Sequence, residues 1–190
     1  MTKYYLYGLQ RSGTNVLTAF LEKNFKIKIE KSPAELRNDI KHKHHRIYDD
    51  KSLIPKTDVK GQFNNKTHIT TLEDLDELLG DKTYSNHYII VYKDIFSWLP
   101  SIKKWATSCK WKTTKKKDFI EDYRAFYTKW MNIKTNRVLF INYRKYLELS
   151  QGMNNDLTLE LADFLKCTIP KKLSFPVKVD VNRPFRQDKL

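Results

Sequence analysis

Eight residues near the amino terminus, Gly8-Leu9-Gln10-Arg11-Ser12-Gly13-Thr14-Asn15, carry the groups needed to hold an anion. Glycines at 8 and 13 let the main chain turn sharply and approach a ligand closely. In the residues that follow, Val16, Leu17, Phe20 and Leu21 fall on one face at helical spacing. A helix starting there points its unpaired N–H groups and positive end into the loop, which makes a phosphate site. The two glycines have the spacing of the front of a Walker A loop. Thr14, however, stands where that loop has lysine, and Asn15 where it has the Mg²⁺-binding hydroxyl. Arg11 supplies a cation from inside the loop instead. Amides, hydroxyls and a guanidinium can then hold phosphate, and no metal is expected to be required.

A second cation and hydroxyl, Lys93 and Ser101, follow the apolar run YIIVY at 88–92. The carboxyl end of a strand and the start of the next helix face the same crevice as a loop like the first one. The pair is therefore expected to meet a second phosphate on the same nucleotide. Groups able to move a proton near neutral pH come from Lys41-His42-Lys43-His44-His45-Arg46. On an extended chain His42 and His44 share one face and His45 takes the other. His44 is the favoured base, with His45 next; the competing reading of the cluster is a solvent-exposed basic patch. A metal site is not expected there, because no further His, Cys or carboxylate group stands at ligand spacing. His68 and His87 have no chemical context and read as structural. Residues 110–117 (KWKTTKKK) pair cations with Trp111 and read either as a solvated loop or as an edge for an anionic acceptor.

The elements that must position these groups form an α/β pattern. Residues 3–9 read as a buried first strand and 16–25 as a helix, the opening unit of a doubly wound fold. KIKIE (26–30) reads as a short strand, and Ser32-Pro33 as a helix start. A short strand is expected near 39–45, within an irregular polar stretch reaching 64. Thr71 is placed to cap a helix that stops at Gly80. YIIVY reads as a central strand buried on both faces. Ile95–Trp105 and 118–134 read as helices, with Phe119, Tyr123, Phe126 and Trp130 as a core stripe. RVLFINY (137–143) reads as a further buried strand and 156–167 as an amphipathic helix. The tail carries Pro170, Pro176 and Pro184 and is expected to be irregular, with a short extended segment around PVKVDV. The expectation is one domain over 1–190, three-layered, with a central, mainly parallel sheet.

Composition narrows the class. Hydrophobic residues at 40% and aromatics at 13% are enough for a packed core and exclude a disordered chain. No apolar stretch reaches the roughly 20 residues of a spanning helix, and MTKYYLYGLQ has no leader pattern. Cys109 and Cys167 form no CxxC pair, so a cytoplasmic protein without a disulfide framework is expected. The formal charge of +14 attracts anions. It is equally a consequence of a composition in which Lys far outnumbers Arg.

The stretch YLYGLQRSGTNVLTAFL resembles the 5′-phosphosulfate-binding loop of sulfotransferases that use 3′-phosphoadenosine 5′-phosphosulfate (PAPS), a P-loop-like family. Its core there is a cation followed by Ser-Gly-Thr and a helix. The resemblance implies that Arg11 neutralises the bridging and sulfuryl oxygens while Ser12, Gly13, Thr14 and Asn15 hold the 5′-phosphate. It assigns Lys93 and Ser101, eight positions apart, to the 3′-phosphate; many members have Arg at the first of these. Two anion sites about one nucleoside apart suit PAPS and not ATP. VLFINY resembles the strand whose terminal Tyr, here Tyr143, contacts adenine, although an acidic pair is common where this chain has Arg144 and Lys145. The family's Gly-containing basic loop near the carboxyl terminus has no recognisable counterpart; Arg183 and Arg186 are the candidates to stand in for it. Lys43 with His44 or His45 resembles the family's Lys and His at the catalytic centre.

The implied activity is transfer of the sulfuryl group from PAPS to a hydroxyl or amine, releasing adenosine 3′,5′-bisphosphate. The acceptor class stays open among glycan, small alcohol and peptide, and nucleic acid is not expected. Two other readings remain. A nucleotide kinase or NTPase would use Asp94 at the end of YIIVYKD, but lacks the loop lysine and hydroxyl. A non-catalytic polyanion binder would account for the charge, although no nucleic-acid-binding signature accompanies it.

Overall fold

The structure is a computed structural model that describes residues 2–33, 36, 39–48, 66–111, 115–153 and 156–176. Arg183, Arg186, most of the PVKVDV segment and most of the stretch leading to residue 64 lie outside the described residues. So do parts of the helix start after Pro33 and of 110–117.

The central sheet has four parallel strands in the order β2-β1-β5-β6, formed by Ile29–Glu30 (β2), Tyr4–Tyr7 (β1), His87–Tyr92 (β5) and Val138–Asn142 (β6). Alternation along the two middle strands divides the core. Tyr5, Tyr7, Tyr88 and Ile90 face one side, where they meet helices α2 (Leu72–Leu78), α3 (Ile95–Ser108) and α4 (Lys116–Asn132). Leu6, Ile89, Val91 and Ile141 face the other, against α1 (Thr14–Phe25), α5 (Tyr143–Ser150) and α6 (Asp156–Leu165). Helices thus cover both faces of a parallel sheet, the α/β arrangement expected from the sequence. A separate parallel pair, β3 (Arg46–Tyr48) and β4 (Lys66–His68), adjoins α4.

The strand order places β1 between two neighbours reached by oppositely directed connections. The chain goes from β1 through α1 to β2 on one side, and β5 lies on the other. In such sheets the crevice at the carboxyl ends of the two strands flanking the reversal is where ligands bind. Here that crevice lies between the ends of β1 and β5. The two chemistry-bearing loops, 8–13 and 93–94, leave the sheet there.

Three expectations are corrected. Residues 39–45 form consecutive turns in place of a strand, with His42 N–H on the Asp39 carbonyl at 2.9 Å and His45 N–H on the His42 carbonyl at 2.7 Å. Asp39 starts them by accepting Lys41 N–H on its carboxylate at 2.6 Å, a local bond that competes with any ladder. The strand begins only at Arg46. Tyr143 opens α5 and is not the last residue of β6, because Asn142 caps a helix by accepting Arg144 N–H at 2.9 Å. β6 is an edge strand with only Ile141 fully buried. Other signals hold: Thr71 and Asp74 form a reciprocal capping box, and Gly80 is left-handed at φ 76°.

On the α2–α4 side Trp130 stacks on Tyr7 at 5.6 Å and lies tilted against Tyr88 at 5.8 Å. Trp130→Ala should lower stability by about 3–5 kcal/mol, from lost transfer energy and the cavity left behind. The exposed Phe96 serves as a control, and Phe96→Ala should stay within roughly 0.5 kcal/mol. Denaturant midpoints at constant slope measure both.

Candidate functional site

The loop after β1 is held from several directions. Gly8 donates its N–H to the Lys43 carbonyl at 2.9 Å, and its own carbonyl meets His44 Nδ1 at 2.6 Å. Leu9 N–H donates to the Tyr127 hydroxyl at 3.3 Å, which in turn donates to the Val91 carbonyl at 2.9 Å. The Trp98 indole N–H reaches the Gln10 carbonyl at 2.8 Å, and Arg46 Nη2 reaches Gln10 Oε1 at 3.1 Å. A Cβ on residue 8 would stand 2.6 Å from the Val91 carbonyl oxygen and 2.7 Å from Ser12 Oγ, so only glycine fits.

Ser12 is fully buried, and both its N–H (3.1 Å) and its hydroxyl (2.7 Å) donate to the Leu9 carbonyl. Its side chain therefore closes the turn. That leaves the donors able to face a ligand to the main chain and to its neighbours. Helix α1 starts on a left-handed Gly13 with φ 99°, with no side-chain cap and no acidic residue in its first turn. The first intrahelical bond there is Leu17 N–H to the Gly13 carbonyl at 3.1 Å, so the helix offers uncompensated donors and a positive end. Thr14 is buried, Asn15 is exposed, and Lys43 Nζ donates to Asn15 Oδ1. Tyr143 lies flat against Gly13, where a Cβ would stand only 2.3 Å from its ring. The ring thus walls the loop.

Arg11 bridges the two anchors. Its backbone is left-handed at φ 71°, and Nε donates to Ser101 Oγ at 3.3 Å. The guanidinium carbon stands 5.2 Å from the centre of the Trp105 ring, one helical turn beyond Ser101. Lys93 directly follows β5, half-buried, with its carbonyl taking the Tyr123 hydroxyl at 2.8 Å. Asp94 caps α3 by accepting Ser97 N–H at 2.8 Å, and hydrogen bonds from Ser97 hold its carboxyl below the usual range.

The His cluster closes the other side. The Gly8 carbonyl can only accept, so its contact requires His44 to carry its proton on Nδ1 and leaves the lone pair on Nε2. His42 Nδ1 accepts His44 N–H at 3.3 Å, which makes His42 the opposite tautomer when neutral. Burial drives the His44 pKa well below the ordinary 6.5; the Gly8 bond opposes this, while Lys43, His42 and Arg46 add to it. His45 is only 3% exposed, and burial lowers it to about 4. Lys43 is lowered by burial and by Lys31.

The structure therefore brings Arg11, Ser12, Gly13, Thr14, Asn15, Ser101, Tyr143, Lys43 and His44 to one place, with Lys93 just past the end of the adjacent strand. His45 turns into the interior. Trp111 is buried against Phe119 and presents no open ring to an acceptor. Sequence reasoning did not single out Gln10, Trp98, Trp105, Tyr127 or the buried Arg46–Asp122 pair. Tyr127 and Asp122 lie one residue from members of the aromatic stripe, but nothing in their spacing marks them. No family model matches the chain, and no curated protein matches it.

Gly13→Ala would put a side chain into a left-handed position already filled by the Tyr143 ring. Its expected cost is about 1–3 kcal/mol of stability, read from denaturant unfolding. A wild-type midpoint would show that ring and loop are not in contact.

Proposed function

We propose that this protein is a sulfotransferase that moves the sulfuryl group of PAPS to a hydroxyl or amine acceptor, using a P-loop-like donor site. The observation that carries the reading is the contact between Arg11 and Ser101 across the β1/β5 crevice. It joins the two segments whose resemblance to the donor site is strongest. The residues fit a phosphosulfate: an uncapped helix start, a guanidinium held at the mouth of the loop, and no acidic side chain in that first turn.

The donor supplies an activated sulfuryl group whose S–O bond to the 5′-phosphate breaks as the acceptor attacks in line. Arg11 and the amides at the start of α1 take up the negative charge growing on the leaving phosphate. Lys93 and Ser101 are the groups for the 3′-phosphate, although the 3.3 Å Arg11–Ser101 contact sets this grip against the first loop, nearer than the one-nucleoside separation expected from the sequence. His44 Nε2, unprotonated and oriented by the Gly8 carbonyl, accepts the acceptor's proton. Lys43 presents a cation beside Asn15 at the same mouth. Tyr143 is kept as an adenine neighbour only by resemblance, since its ring face is spent on Gly13. The kinase reading is weaker: the Asp94 carboxylate that it needs for Mg²⁺ is engaged as a helix cap.

Calorimetry with adenosine 3′,5′-bisphosphate in the presence of a chelator tests the site. Arg11→Ala and Ser101→Ala should each weaken binding by about tenfold or more. Wild-type affinity in both variants rejects the assignment, and binding that needs Mg²⁺ favours the kinase.

The pH profile tests the base. Because burial keeps His44 neutral well below 6.5, kcat/KM should hold through neutral pH and fall only on an acid limb below 6.5. His44→Gln should abolish that limb together with most of the activity. An unchanged limb in the variant assigns the proton to another group.

A further inference from the structure

Arg46 is buried to 1% exposure and forms a two-point ion pair with Asp122 of α4, Nε to Oδ1 at 2.7 Å and Nη2 to Oδ2 at 2.8 Å. Its remaining donors do not stay within that pair. Nη1 donates to the His44 carbonyl at 3.2 Å, and Nη2 also donates to Gln10 Oε1 at 3.1 Å. Gln10 lies between Gly8 and Arg11, and its carbonyl takes the Trp98 indole N–H at 2.8 Å. One guanidinium thus touches the loop that carries Arg11 and the turn that carries His44. A buried charge needs a partner, which explains Asp122; it does not explain why the spare donors reach these two segments.

We propose that Arg46, held by Asp122, is a positioning residue that fixes the separation between the anion loop and the His44 imidazole. At 1% exposure Arg46 has no open face to offer an anion or an acceptor. It acts through Gln10 on the loop and through the His44 carbonyl on the turn, and a planar five-donor fork is the side chain able to serve three partners at once. Lysine in its place carries three donors on a single nitrogen and lacks the planar fork that spans Asp122, Gln10 and the His44 carbonyl. The role in catalysis rests on the proposed sulfotransferase reading; the mechanical coupling does not.

Removing one member of the pair strands a buried charge and weakens the whole protein, so single truncations say little. The informative variant is Arg46→Met with Asp122→Leu in the full chain, because apolar replacement of a buried ion pair commonly preserves stability. Gln10→Ala cuts the loop limb alone and leaves the pair intact. The first readout needs no ligand: the Trp98 indole N–H and the His44 ring signals in ¹H–¹⁵N spectra at fixed pH. The second is calorimetric affinity for adenosine 3′,5′-bisphosphate. Both variants should stay folded and move the Trp98 signal, and the double variant should also move the His44 ring signals. Affinity should fall about tenfold, as for loss of a hydrogen bond to a charged group. Wild-type signals in both variants overturn the inference, as does wild-type affinity with shifted signals. If the double variant fails to fold, Gln10→Ala decides alone. A wild-type protein that does not bind the nucleotide, with signals shifted as expected in the variants, sinks the sulfotransferase reading and leaves the coupling standing.

Discussion

The main chain at Gly8 passes so close to the end of β5 that the Val91 carbonyl oxygen would stand 2.6 Å from any Cβ. That approach decides where the loop goes. It brings the chain leaving β1 against β5, at the reversal of strand order, and so over the crevice between them. The Tyr127 hydroxyl repeats the constraint, taking Leu9 N–H and giving its proton to the Val91 carbonyl. The loop is thus packed against β5 at Gly8 and tied to it through Tyr127, on the side away from β2. The helix that follows must therefore begin above the crevice, and its positive end comes with it.

The loop carries local costs that the packing around it bears. Arg11 adopts a left-handed backbone at φ 71°, which costs a non-glycine residue on the order of 1–3 kcal/mol. α1 also begins without a side-chain cap, as does α4, but α4 carries Asp118 in its first turn and α1 carries no acid. Thr71, Asp94 and Asn142 satisfy the starts of α2, α3 and α5. Donors left open beside a strained cation make sense where a negative ligand completes them, and strain of this kind concentrates at binding sites. The surrounding clamps, Trp98 on Gln10 and Ser101 with Trp105 on Arg11, hold the loop in this form.

Most of the framework was legible because period and punctuation agreed. YIIVY is apolar on every residue because helices cover both faces of β5, and Thr71 with Gly80 bounds α2. The strand expected at 39–45 failed because an Asp side chain offered the backbone local turn bonds, a competition that hydrophobic spacing does not register. α5 was missed because Asn142, its cap, also ends an apolar strand; Tyr143 reads as strand or helix until the cap is seen. The glycines and Arg11 were legible because sterics and charge restrict their types. Ser12 is ambiguous for a related reason: a hydroxyl in such a loop serves a ligand or closes a turn, the sequence is the same in both cases, and in the structure it donates to the Leu9 carbonyl. Arg46 and Asp122 stand 76 positions apart, and no periodic pattern connects them.

The imidazole of His44 shows how the loop sets chemistry as well as place. A histidine beside Lys43, His42 and Arg46, with burial added, stays neutral at physiological pH. Neutrality alone leaves two tautomers, and the Gly8 carbonyl at 2.6 Å selects the one with Nε2 unprotonated. A depressed pKa makes that nitrogen a weaker base, which by Brønsted behaviour slows proton abstraction. An anion seated at the loop acts in the opposite sense, because negative charge nearby stabilises the imidazolium. Under the proposed function, His44 would then be a weak base while the loop is empty and a stronger one when a donor is bound. The residue that leaves β1 would govern both events: its side chain is absent so that the loop can lie against β5, and its carbonyl tells the histidine where to keep its proton.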